Sequence, residues 1–483
     1  MAVLEDSNIV EPAAEMLSFN ILKAQKHDRA GLRLGRLLLS DRTPIETPHF
    51  ISITSRGAIP HITQDTMKKH TKTNSVYVAL EDFIEKAPRE TPPVYSMPAQ
   101  HDTSALRQFT SLGQNTTMIM GARRIDPIAC PAANSNSAVS ILTSVGFRQL
   151  ESEDYAEAAR KLQPDIVIGL ADIVFGQKPG LKRMQKMGDR TGWWMEHLVA
   201  ACSEQPEMSE HKQKHNKKPA IFAPVLPMSQ GQQHFYLNQL EEELRGHIAG
   251  LTLYDPTSVT EIPPGLASLP RMSLDGPKSP SDILYRISLG IDLFAIPFIC
   301  EATDAGIALD FTFPAPKGVA TSEPKQLGTD MWSSEFAGDI SPLQDGCTCY
   351  TCTRHHKAYI QHLLVAKEML GWTLLQIHNE RVMNEFFAGI RATIAEDTFE
   401  TERKIFENAY HSELPEKTGQ GPRVRGYQFK VNGPNEPKKN QASYTTLDDS
   451  RQCIEEAAAA AAIPSPGEDA DDLAAKGFAE KAE

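Results

Sequence analysis

Short uninterrupted runs of apolar residues recur through the middle of the chain, at Ile166–Leu170, Ala220–Val225, Ile248–Leu253 and Ile291–Ile296. Strands buried on both faces read as such runs, rather than as an alternation of apolar and polar positions. Between them lie stretches with apolar residues at helical spacing, among them Gln233–Arg245 and Pro280–Leu289. Strand and helix alternating at this interval predict a parallel α/β sheet, and the length suits a (β/α)8 barrel of the TIM type. A further helix is predicted over Lys357–Leu370, with Ile360, Leu363, Leu364 and Leu370 along one side. Part of that stripe is expected in the core and part at an interface with another chain.

From about Val431 the pattern gives way to Pro, Asn and Lys, an Ala457–Ala462 run and acidic residues, which predicts a disordered tail over 431–483. The formal net charge is −13, and residues 451–483 hold eight acids against three bases, which leaves −8 on the body. Grip on a nucleic acid rests on neutralising phosphates, so contact with RNA is expected only from a local basic patch or through a partner. The run from His211 to Lys218 is basic, but reads first as a solvated loop. The amino end shows no charged, apolar-cored leader and no run is long enough to span a bilayer, so a cytoplasmic location is expected. A peripheral place at the mitochondrial outer membrane is compatible with that expectation.

Candidate chemistry is concentrated in one place. Only seven cysteines occur, and three of them lie in Cys347-Thr-Cys349-Tyr-Thr-Cys352. Thiolates at this spacing can wrap one Zn2+ ion at Zn–S distances of ~2.3 Å, with a distant imidazole closing the tetrahedron. Four such ligands leave no open coordination position, so the site is read as structural. Spacing alone leaves His355, His356 and His378 open as the fourth ligand. It also leaves Cys349 and Cys352 open to reading as a redox pair, although the extra Cys347 does not suit that motif.

The segment Cys347-x-Cys349-x-x-Cys352, then Lys357-Ala-Tyr359, His362, Gly371 and Gln376-Ile-His378-Asn379, resembles the zinc subdomain of the tRNA-guanine transglycosylases, the queuine tRNA-ribosyltransferases. The likeness extends upstream to Trp332, Phe336, Asp339 and Pro342-Leu343, and includes Gly35-Arg36-Leu37 and Glu46-Thr47-Pro48-His49-Phe50 near the amino end. It implies a (β/α)8 barrel with a Cys3His zinc subdomain inserted near its carboxyl end, and His378 as the fourth ligand. The implied division is a barrel body over 1–344, a zinc subdomain with closing helices over 345–430, and the tail over 431–483.

The chain departs from the family where the chemistry should be. Active members exchange guanine at the tRNA wobble position through an aspartate that attacks the ribose, placed after a G-I-D-L-F type of stretch at a strand end. Here that stretch is Gly290-Ile291-Asp292-Leu293-Phe294, and the next residue is Ala295. Asp292 is three residues earlier, so in an extended strand it points to the opposite face, and a structural role is expected for it. The acid/base motif D-S-G-G occurs nowhere, and Leu226 stands where the family reads the base with a glutamine. Asp172, followed by Arg190-Thr191, matches the position of the family's purine-binding aspartate. Asp172, Leu226 and Ala295 therefore mark an expected vestigial pocket.

A kept scaffold without its chemistry resembles a eukaryotic non-catalytic branch of the family, as do Thr303-Asp304-Ala305-Gly306 and Leu162-Gln163-Pro164-Asp165. That resemblance implies a heterodimer with a catalytic queuine tRNA-ribosyltransferase subunit, tRNA bound through the complex, one structural Zn2+ and no catalytic residue. Two other readings of the same residues are an enzyme using Asp172, Glu301 or Asp304, and a zinc-stabilised scaffold that has left tRNA altogether.

Overall fold

Eight parallel strands close on themselves in chain order: β1 (His49–Ile53), β2 (Ser75–Ala79), β3 (Thr117–Gly121), β4 (Ile166–Ile168), β5 (Ala220–Val225), β6 (Ile248–Leu253), β7 (Arg271–Ser273) and β8 (Leu293–Ile296). The last strand pairs with the first, Ala295 opposite Ile51, so the sheet has no free edge. The computed structural model describes residues 17–24, 31–85, 90–97, 103–130, 132–176, 178–203, 218–316 and 324–422, all within one unit, Met1–Gln428. The expected tail from Val431 lies outside the described residues, as does the basic run except for Lys218, whose Nζ donates to the Ser203 carbonyl.

The predicted strands are found to within two residues, because their burial on both faces leaves an uninterrupted apolar trace. Ile51, Ile119, Ile166, Phe222, Leu293 and Ala295 pack together as the barrel interior. Phe294 and Ile296, the alternate residues of β8, belong instead to the layer between barrel and helices. An antiparallel sheet of Leu17–Ala24, Arg33–Leu39 and Ile45–Thr47 precedes the barrel, and its Leu37 and Ile45 join the interior cluster. The predicted helix Pro280–Ser288 is set by its cap: Ser279 accepts from the Asp282 N–H, and Pro280 occupies the first turn.

Two predicted helices differ in detail. The stretch after Gln233 forms an α-helix over His234–Asn238 and continues as a π-helical turn over Gln239–Glu243. The helix expected over Lys357–Leu370 ends at Val365. Lys367 then takes a positive φ of 58°, and a new helix, Met369–Ala395, begins. Ile360, Leu363 and Leu364 are core residues packed with Trp372, Leu374 and Leu375. Leu370 is on the second helix and exposed, beside exposed Val365 and Met369. The long helix then returns to the barrel, where Phe387 lies 5.5 Å from Phe50 and 6.0 Å from Phe294 between ring centroids.

Candidate metal centre and barrel mouth

Cys347 follows Gly346, whose φ of 74° is left-handed and turns the chain back on itself. Cys349 caps the short helix Tyr350–Arg354, its Sγ accepting from the Cys352 N–H at 3.3 Å. The fourth group comes from the long helix: His378 is fully buried, and its Nδ1 lies 3.8, 3.7 and 3.4 Å from the sulfurs of Cys347, Cys349 and Cys352. A tetrahedron with sulfur arms of ~2.3 Å and a nitrogen arm of ~2.0 Å has edges of about 3.6 Å. The four ligand atoms, all within 4.8 Å of one another, therefore fit one such ion.

The orientation of His378 supports the same donor set. Its Nε2–H donates to the Leu309 carbonyl at 2.8 Å, which leaves the Nδ1 lone pair facing the sulfurs. Burial opposes a charge on this ring, but the Cys347 and Cys349 sulfurs outweigh it and bring the imidazole pKa up to about 9. The sulfurs also divide their protons unequally, with Cys347 drawn down and Cys352 pushed up through hydrogen bonds among the three. A pocket this rich in electron pairs calls for positive charge, and a divalent ion removes the thiol protons outright. The other two histidines are otherwise engaged. His356 Nδ1 accepts from Tyr359 N and caps the helix Lys357–Val365, while His355 stacks on Tyr359 at 5.2 Å.

The carboxyl ends of the barrel strands, where this architecture places its chemistry, are filled. Tyr77, Arg123, Phe175 and Tyr254 close over the mouth and leave ≈ 30 Å³ of free space, room for about two water molecules. The Arg123 guanidinium sits 5.2 Å from the Phe175 ring centroid, and Tyr77 Oη donates to the Arg123 carbonyl at 2.5 Å. Burial pushes the Tyr254 phenol up to about 12 despite the opposing charge of Arg123, so it is neutral at ordinary pH.

None of the three expected pocket residues lines that space, although Ala171 does. Ala295 is fully buried in the barrel interior. Leu226 packs in the outer layer, its backbone held by the Gln233 side chain through Leu226 N to Oε1 (3.1 Å) and Nε2 to the Leu226 carbonyl (3.0 Å). Asp172, also fully buried, takes hydrogen bonds from Asn134, Arg183 and Arg190. Sequence reasoning found Arg190 but missed Arg183 and Asn134, for which the local pattern carries no signal. Asp304 is engaged elsewhere, 2.6 Å from His61 Nε2.

Comparison with known proteins agrees with the architecture. The sequence model of the family described as "Queuine tRNA-ribosyltransferase" matches residues 28–412. A fission yeast protein, from Schizosaccharomyces pombe (strain 972 / ATCC 24843), is 33% identical over 86% of this chain and 90% of its own length. Proteins of Anopheles gambiae and Xenopus laevis are 28% and 27% identical, each over 76% of this chain and over 85% and 94% of their own lengths. All three are named queuine tRNA-ribosyltransferase accessory subunit 2. No helix among the described residues is long and apolar enough to cross a membrane.

Proposed function

Since the chain belongs to the queuine tRNA-ribosyltransferase family, we propose that it is the non-catalytic accessory subunit of a heterodimeric transglycosylase. It pairs with a catalytic subunit and helps to position tRNA while guanine at the wobble position of GUN anticodons is exchanged for queuine. The observation that carries this reading is Ala295, a methyl group in the barrel interior at the place from which family enzymes attack the ribose. A filled mouth and an Asp172 already engaged by two arginines point the same way.

Cys347, Cys349, Cys352 and His378 hold one structural Zn2+ in this reading, and that ion contributes folding free energy rather than chemistry. The barrel body over 1–344, the zinc subdomain with closing helices over 345–430 and the tail over 431–483 then have separate tasks. Val365, Met369 and Leu370 form the exposed apolar ridge of the zinc subdomain, and we assign the partner contact to it. Place of action is the cytoplasm, including a peripheral position at the mitochondrial outer membrane.

Base exchange on tRNA with labelled queuine tests the proposal, using this chain alone, a catalytic subunit alone and the two mixed. Incorporation that needs both chains, with none from this chain by itself, is the expected result. Incorporation by this chain alone would overturn it.

A further inference from the structure

Asp172 lies just past the end of β4, next to Ala171 at the barrel mouth. Its carboxylate receives four hydrogen bonds: one from Asn134 Nδ2 (2.8 Å), one from Arg190 Nη1 (3.1 Å) and a two-pronged pair from Arg183 Nη1 and Nη2. An ionised carboxylate offers about four acceptor positions, so no acceptor is left over for anything else.

The two arginines are held differently. Arg190 is built into the surroundings, donating also to the Asn134 carbonyl (3.0 Å) and to Asn136 Oδ1 (3.0 and 2.8 Å). Every side-chain hydrogen bond given for Arg183 goes to Asp172. Arg183 reaches in from the first turn of the helix Leu181–Ser203, and its side chain keeps a quarter of its surface in solvent. Arg190 and Asn134 thus orient the carboxylate, and Arg183 occupies the edge they present.

That edge has a defined complement. A carboxylate with two parallel acceptors recognises a planar pair of N–H donors, as in a guanidinium, an amidine or the N1–H and 2-amino edge of guanine. We propose that Asp172, Asn134 and Arg190 form a binding site for a planar N–H/N–H edge, and that Arg183 fills it from within the chain. Arg183 is the intramolecular occupant that excludes a free base. The inference goes beyond the accessory reading and rests on it only in treating the barrel mouth as non-catalytic.

Calorimetric titration with guanine tests it, with hypoxanthine, which lacks the 2-amino group, as the control ligand. The native chain is expected to bind neither. Arg183→Ala is expected to bind guanine at least about tenfold more tightly than hypoxanthine, and Asp172→Asn with Arg183→Ala is expected to lose that binding. Arg183→Ser serves as the second variant, with near-ultraviolet circular dichroism to establish that each protein is folded. A folded Arg183 variant that ignores guanine would overturn the proposal, as would a native chain that binds guanine equally well. Loss of fold in both Arg183 variants would overturn it too, by making Arg183 a structural residue instead of an occupant. Failure here leaves the subunit-mixing result standing, because that assay uses only the native chain.

Discussion

Arg33 and Asp292 form a buried ion pair that fastens the amino-terminal sheet to the base of the barrel. Arg33 Nε donates to Asp292 Oδ1 at 3.2 Å and Nη2 to Oδ2, while Oδ2 also accepts from the Arg271 backbone N–H at 2.8 Å. The same guanidinium donates to the Ala267 and Leu269 carbonyls at 2.8 and 3.1 Å. The acid next to the family's nucleophile position is therefore an architectural group, as its place on the face opposite Ala295 requires. Removing one member of a buried pair strands the other without a partner, at a cost of about 3–5 kcal/mol. Asp292→Ala is expected to lose that much stability in urea unfolding. An activity change in the mixed complex should follow only from the lost fold.

The metal centre predicts a sharper result. Native protein should contain one zinc per chain by mass spectrometry of the metal, and Cys349→Ala or His378→Ala should contain none. Because such a site has no folded counterpart without its ion, chelation should melt the region that packs on Trp372, Leu374 and Leu375 well before the barrel. Stoichiometric zinc in either variant, together with normal pairing with a catalytic subunit, would exclude the assigned ligands.

Much of this molecule is legible in its sequence, for physical reasons that also mark where legibility stops. Runs such as Ala220–Val225 announce their strands because both faces are buried, and the cysteine cluster announces itself because three ligands come from one short segment. His378 is distant in sequence, and spacing alone could not choose it over His355 or His356; the choice came from family resemblance. What local pattern cannot hold is the outcome of tertiary competition. The helix break at Lys367 turns a predicted stripe into two elements, and Arg183 meets Asp172 only once the barrel has closed. The filling of the mouth by Tyr77, Arg123, Phe175 and Tyr254 draws on four separate parts of the chain.

Restoring the missing acid should not restore the reaction. Ala295→Asp places a carboxylate between Leu293 and the other apolar residues of the barrel interior. Such a group either carries a charge at a cost of several kcal/mol or takes up a proton through a raised pKa. We expect a lower melting temperature and no base exchange by the variant alone. Exchange by Ala295→Asp would mean that the remaining machinery is intact and that the mouth opens.

The exposed ridge is testable without touching the metal. Met369, 64% exposed, and Val365, 56% exposed, have no packing role to lose, so charged replacements there should change stability by no more than about 0.5 kcal/mol. Met369→Glu combined with Val365→Glu is expected to abolish co-elution with a catalytic subunit while zinc content stays at one. Undiminished pairing would move the interface elsewhere.

His49 gives the protein a defined sensitivity to acid. Its Nε2–H donates to Asn74 Oδ1 at 3.1 Å, and its buried Nδ1 has no partner. Burial, assisted by the nearby Arg391 charge and only partly opposed by Asn74, pulls its pKa down to about 3. In the unfolded chain the same imidazole titrates near 6.5. Above that pH both states are neutral and His49 contributes nothing to the pH dependence. Below it the unfolded chain binds a proton that the folded chain refuses, so stability falls as the pH drops, until about 3. Between pH 7 and pH 5 this one group should remove about 2 kcal/mol. His49→Gln, which keeps a donor for Asn74 and cannot titrate, should lose about that much less over the same interval in urea unfolding. An identical pH profile for variant and native protein would show that the His49 ring takes up its proton in the folded state.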